Sequence, residues 1–174
     1  MIRNACLGDA AALSEIAEAT FRETFGAVNT AEHMQRHCEA NYAESIQATE
    51  ISNAAMVTLV AEERGVIVGY AQMRWSTAPS CVSGISPGEI QRLYVVNAWH
   101  GRGVAQGLMR TCISELEKRG SDVVWLGVWE RNPRAIAFYR KSGFVEVGDH
   151  TFPLGGDPQR DIIMVRSLAS AQSI

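Results

Sequence analysis

Nothing in this chain suggests a covalent or metal scaffold. Its four cysteines, Cys6, Cys38, Cys81 and Cys112, lie far apart and form no CxxC pair, which argues against a disulfide framework or a structural zinc site. Cys6 and Cys112 fall in apolar patterns and are expected to be small core residues. No apolar run approaches the roughly 18 residues of a membrane span, and Met1 to Leu7 is too short for a leader, so a soluble cytoplasmic protein is expected. There is no excess of basic charge: 16 Lys and Arg against 19 Asp and Glu give a net charge of -3. Aromatic residues make up only 7%. Neither an electrostatic footprint nor a stacking surface for nucleic acid is present. His33 and His37 are four residues apart but have no third ligand in an evident pattern, so no metal site is expected.

What is present is a chain of alternating strand and helix signals. "IRNAC" reads as a short first strand, with Asp9 as a helix N-cap before Leu13, Ile16 and Ala17 at helical spacing. The helix breaks near Gly26, and a second begins near Thr30 with Met34, Cys38 and Tyr42 recurring. Met56–Glu63 and Val66–Trp75 flank Arg64-Gly65 as a hairpin. Residues 76–88 read as a surface loop, and the sheet resumes from Glu89 to Val96. Val104, Leu108, Cys112 and Leu116 make one apolar helix face ending near Gly120. Val123–Trp129 is a further strand, Asn132 caps a short helix with Pro133 at its first position, and two strands close the chain. The order β-α-α-β-β-β-α-β-α-β-β predicts a mixed α/β (α+β) fold with about seven strands and four helices. One domain over residues 1–168 and a frayed tail over 169–174 are expected.

The stretch "YVVNAWHGRGVAQGL" runs a strand through a glycine turn into a helix. The first N–H groups of a helix have no intrahelical partners and suit an anion. Gly101 and Gly103 allow a phosphate close to the backbone, and Arg102 adds charge at the rim. The turn lacks the lysine and Ser/Thr of a P-loop and does not follow the first strand of a dinucleotide fold. By itself it serves phosphate binding and tight helix–sheet packing equally well.

A second segment carries the reading further. "LYVVNAWHGRGVAQGLM" and "GVWERNPRAIAFYRKSGF" resemble the two hallmark segments of the GNAT superfamily, the acyl-CoA-dependent N-acyltransferases. His100, Gly103 and Ala105 stand in that family's (Q/R)xxGx(G/A) loop, with histidine replacing Gln or Arg at its first position. Asn132, Ala135, Phe138, Tyr139, Gly143 and Phe144 match its NxxAxxFYxxxGF helix. The resemblance implies acetyl-CoA lying between two splayed strands, the fourth and fifth. Its pantetheine would pair with the backbone of Leu93, Tyr94 and Val95, and its pyrophosphate would rest on the amides of His100, Gly101, Arg102, Gly103, Val104 and Ala105. Asn132 and Ala135 would border the cofactor, although an N-cap alone accounts for Asn132.

The same resemblance makes Tyr139 the acid that protonates the departing thiolate, and a backbone N–H near Val95 the donor to the developing oxyanion. Glu89, eleven residues before His100, is the expected general base through water, with His150 a weaker rival. The acceptor is expected to be the primary amine of a small molecule. "TFRETFG" and "GDHTFPLGGDPQRDIIM" loosely resemble a microbial branch that includes polyamine acetyltransferases. A protein N-terminus or lysine, and a non-catalytic acyl-CoA sensor, are the alternatives. Acceptor choice is expected to come from the first two helices, residues 76–88 and the turn from Phe152 to Arg160. Glu23, Glu89 and Asp149 are either an acidic mouth or scattered acids, and Trp75, Trp99 and Trp129 are either pocket walls or strand-end packing. A homodimer through the final strands is a further expectation.

Overall fold

The computed structural model describes residues 1–154 and 157–168. The expected tail over 169–174, and part of the turn between Phe152 and Arg160, lie outside the described residues. Seven strands form one sheet in the order β1-β2-β3-β4-β5-β7-β6. They are β1 (Ile2–Asn4), β2 (Met56–Glu63), β3 (Val66–Arg74), β4 (Pro87–Val95), β5 (Val123–Trp129), β6 (Val145–Leu154) and β7 (Asp157–Ser167). Among the described residues β4 and β5 are the only parallel neighbours. A parallel pair needs a crossover, and α4 (Val104–Lys118) supplies it.

Local chemistry accounts for most elements. Arg64 and Gly65 both take positive φ, 51° and 79°, the two-residue turn that matches strand twist and lets β2 and β3 pair from Glu63 and Val66 onward. The Asn132 side chain accepts from the Ala135 N–H at 3.1 Å and Pro133 follows, starting α5 (Pro133–Lys141). Thr30 caps α2 (Ala31–Tyr42) by accepting from the His33 N–H. Leu108, Met109, Cys112, Ile113 and Leu116 line the buried face of α4, each large side chain contributing about 1.5–3 kcal/mol on burial.

Three expectations change. Asp9 does not cap α1 (Ala10–Phe25) with its side chain. Its carboxylate instead accepts from the Cys6 N–H and from the Arg3 guanidinium, which holds it far below the usual carboxylate range. Cys6 is exposed rather than buried, because β1 ends at Asn4 and the chain turns outward there. Among the described residues the α-helices number five, not four: the chain becomes extended at Ala43 (φ -52°, ψ 145°), and α3 (Glu44–Ser52) follows. Only Gln47 of α3 is fully buried, so that helix carries no apolar period for sequence to reveal.

Two apolar clusters flank the sheet. One joins α4 and α5 to Ile90, Val95, Leu126 and Val128. The other joins α1 and α2 to Tyr70, Trp129 and Leu154.

Candidate active site

The sheet forks where its parallel pair fails. β4 and β5 pair only at Pro87–Val123, Gly88–Val124 and Glu89–Trp125, after which the strands part. A bulge on β4 contributes: Gln72 faces Arg92 and Met73 faces Ile90, so Gln91 is an extra residue that bends the strand. β5 remains paired with β7 through Trp129, so its other edge is free from Leu126 onward. The fork forms part of a cleft of about 720 Å³.

Main-chain alternation decides what the fork offers. Val96 N–H donates to the Val68 carbonyl on β3, and Tyr94 faces Tyr70 in the same ladder. Alternate residues point their polar backbone groups the other way. Leu93 and Val95 therefore direct theirs into the gap that β5 has vacated. His100 Nε2 lies 2.7 Å from the Val95 carbonyl. A carbonyl only accepts, so Nε2 carries the proton and donates. This ties the loop to the strand end and leaves the Val95 N–H available.

At the wide end, Gly101 (φ 74°) and Gly103 (φ 82°) turn the chain, and a Cβ at either would meet no protein atom within 4 Å. Their bareness serves the backbone angle and open space rather than close packing. No side chain caps α4, so its first-turn amides stand free beside the cleft, which Gly101, Gly103, Val104 and Ala105 line. Arg102 does not line it. The Arg102 guanidinium sits 4.9 Å from the Trp99 ring centroid.

Tyr139 lines the cleft and is only 9% exposed, edge-on to Phe138 and Phe144. Burial raises its hydroxyl above the ordinary tyrosine range, so it keeps its proton. Asn132 and Ala135 line the same cleft. Glu89 sits at the last rung of the fork, with Arg74 and the Ser76 hydroxyl donating to its carboxylate.

The two sides of the fork differ. Residues paired across a ladder share a face. Glu89, Trp125 and Trp129 thus lie on the α1/α2 side, and Tyr139 packs from the opposite side with Val95, Leu126 and Val128. Glu23 and Glu89 share the cleft, whereas Asp149 pairs with Arg160 outside it. Trp99 and Trp129 line it and Trp75 does not; Trp75 Nε1 donates to Ser121. Residues 20–25 and 37–42 contribute to the wall, and residues 76–88 contribute nothing.

Sequence reasoning missed Arg131, Arg134 and Asp161, all lining the cleft. Two arginines beside Asn132 were a readable signal. Asp161 carried none, since a lone acid opening an apolar strand looks like a surface residue. It is 8% exposed, and desolvation pushes its carboxyl up to about 7. Among the described residues no group of three or more His, Cys, Asp or Glu could hold a metal ion, and no helix is long and apolar enough to cross a membrane.

A seven-stranded mixed sheet forked at its parallel pair, with a helix starting bare at the open end, is the GNAT type of α/β fold. The chain belongs to the acetyltransferase (GNAT) family, whose model matches residues 12–144. It is an acetyltransferase by that membership. An uncharacterized N-acetyltransferase of Mycobacterium tuberculosis is 33% identical over 160 residues, spanning 92% of this chain and 98% of the relative. Another, from Lactobacillus delbrueckii subsp. lactis, is 29% identical over 88% of each chain. Among solved structures, PaiA N-acetyltransferase from Thermoplasma acidophilum in complex with coenzyme A superposes with a TM-score of 0.78 at 20% identity, over 97% of this chain and 98% of that one. At that identity the likeness speaks to the fold alone.

Proposed function

We propose that residues 1–168 act as one N-acetyltransferase domain, in the cytoplasm, moving an acetyl group from acetyl-CoA to the primary amine of a small molecule by direct attack. The observation that carries this reading is the fork, with gap-directed backbone at Leu93 and Val95 at one end and uncapped α4 amides at the other. The residues present fit acetyl-CoA: the open space over Gly101 and Gly103 admits a pyrophosphate, and an unpaired strand edge admits an amide-bearing arm. When bound, the cofactor supplies an activated acyl thioester.

The chain's own groups do the rest. Leu93 and Val95 offer backbone to the arm, Tyr94 pairing with Tyr70 instead. The stretch from Gly101 to Ala105 offers amides to the phosphates, the His100 N–H already donating to the Asn97 carbonyl. Arg131 and Arg134 bring positive charge to the same cleft. The Val95 N–H, held in place by the His100 tether, donates where negative charge develops. Tyr139 gives its proton to the departing sulfur. An alkyl amine with a pKa near 10 arrives protonated, so a cleft carboxylate must take a proton from it. Arg74 and Ser76 already engage the oxygens of Glu89, so its part is confined to a water relay beside the carboxylate that meets the amine.

The acceptor approaches from the α1/α2 side, and a polyamine is one such cation. The same reading pairs two copies through the final strands, where Val145 and Val147 stand exposed on the edge strand β6; sedimentation of the protein tests it.

Incubation with acetyl-CoA and a panel of amines, followed by free thiol, tests the reaction. Thiol release that depends on one class of amine is the expected result. Acetyl-CoA binding without transfer to any amine would instead favour a sensor.

A further inference from the structure

The described residues contain five buried side-chain polar atoms with no hydrogen-bond partner, and three belong to cleft-lining residues: Gln91 Oε1, Trp125 Nε1 and Asp161 Oδ1. Buried polar groups are nearly always satisfied, so such a concentration marks where another molecule's polar groups fit. Asp161 is the one that carries charge. It pairs with Trp129 on β5 and with His150 on β6, which places all three on the α1/α2 face, opposite the side from which Tyr139 enters. Its Oδ2 lies 3.9 Å from His150 Nε2 and beside Gly127, where a Cβ would come within 3.1 Å of it. Glycine at 127 thus leaves room for this carboxylate over β5, on the face that lines the cleft. No lysine or arginine pairs with it among the described residues.

Resting on the acetyltransferase reading above, we propose that Asp161, with His150 beside it, is the acceptor subsite: its carboxylate receives the primary ammonium of the substrate and takes the proton that nitrogen must lose. The freed nitrogen lone pair then bonds to the thioester carbonyl carbon, and the carbon–sulfur bond breaks with its electron pair on sulfur. Of the two protons that leave nitrogen, one goes to Asp161 and on to solvent. The other passes by way of Tyr139 to sulfur. The aromatic rings of Phe25, Trp129 and Tyr94 line the same cleft and suit an alkylammonium rather than an anion.

Among the described residues the titratable groups set against Asp161 are His150 from β6 and Tyr94 from β4, while β5 presents Gly127 and Trp129. Burial pushes Tyr94 up to about 12, so its hydroxyl stays neutral in the working range.

The test compares the wild type with Asp161→Asn and Glu89→Gln, following kcat/KM for the amine against pH. The wild type should lose activity below about pH 7, with a slope of one, as Asp161 is protonated. Asp161→Asn should cut kcat/KM for the amine at least a hundredfold and abolish that acid limb, with KM for acetyl-CoA within twofold of wild type. Glu89→Gln should retain the limb, whatever its rate. A limb that survives in Asp161→Asn and vanishes in Glu89→Gln overturns the subsite and leaves the acetyltransferase reading intact. A second measurement is independent of turnover: n-butylammonium without acetyl-CoA should raise the thermal midpoint of the wild type at pH 8 and not that of Asp161→Asn. That result with no amine acetylated would keep the subsite and remove the proposed reaction. An equal midpoint shift in both proteins would remove the subsite.

Discussion

Arg92 Nη1 donates to Glu50 Oε2 at 2.8 Å, joining the strand that lines the fork to the helix with no apolar stripe. The same nitrogen donates to Gln72 Oε1, and Gln72 in turn donates to Glu50 and Thr58. The Arg92 guanidinium also lies 5.1 Å from the centroid of the Tyr42 ring. Removing one member of such a buried ion pair strands the other, at a cost of about 3–5 kcal/mol. Arg92→Met should therefore lower the urea midpoint sharply, and adding Glu50→Leu should restore part of the loss. Denaturation of the two single variants and the double variant checks this, and strictly additive losses would show that the pair is not coupled.

That pair also marks the limit of what the sequence makes legible. Strands β2, β3 and β5 and helices α4 and α5 announce themselves by apolar period and end signals, and the GNAT motifs locate Tyr139 and the turn from His100 to Ala105. Helix α3 is held by polar side chains at Glu50 and Gln47, which leave no periodicity. Asp161 is hidden for a related reason. Its meaning comes from Gly127 and His150 on neighbouring strands, and strand register is not written in any one segment. The placement of Arg102 over Trp99 rather than among the cleft-lining residues is likewise a matter of rotamer rather than spacing.

Gly103 and Gly120 separate backbone strain from ligand space. Their φ values are 82° and 83°, and neither has an atom within 4 Å of a built Cβ. Replacing either with alanine should cost about 1–2 kcal/mol from the left-handed backbone alone. Only Gly103 lines the cleft. Gly103→Ala should therefore weaken acetyl-CoA binding about tenfold or more, and Gly120→Ala should leave it unchanged at a similar loss of thermal stability. Calorimetric titration of both variants checks this.

Tyr139→Phe separates chemistry from binding. The ring keeps its edge-on packing against Phe138 and Phe144, and only the hydroxyl is lost. With general acids typically worth 10²–10⁴ in rate, kcat should fall about a hundredfold or more with little change in acetyl-CoA affinity. Stopped-assay rates alongside the binding constant check this, and an unchanged kcat would take Tyr139 out of the mechanism.

Two buried groups titrate against each other. His37 stacks on Phe21, with ring centroids 4.2 Å apart, and burial together with Arg92 lowers its imidazole to about 4. Between about pH 6.5 and 4 the unfolded chain binds this proton and the native protein does not. Stability therefore falls as pH falls through that window. Asp161 acts in the other direction, because burial raises it from 3.8 to about 7. Between those values the native protein holds a proton that the unfolded chain has released, so stability falls as pH rises and levels off above about 7. Over pH 4 to 6.5 the two slopes oppose each other, and the wild type should show a shallow profile that conceals both. Asp161→Asn should match the wild type near pH 4 and exceed it above pH 7, by on the order of 2–4 kcal/mol. His37→Phe should remove the acid-side loss and leave a profile that declines steadily from pH 4 to 7. Urea midpoints from pH 4 to 8 for the three proteins check this, and parallel curves would show that neither residue titrates differently in the native and unfolded states.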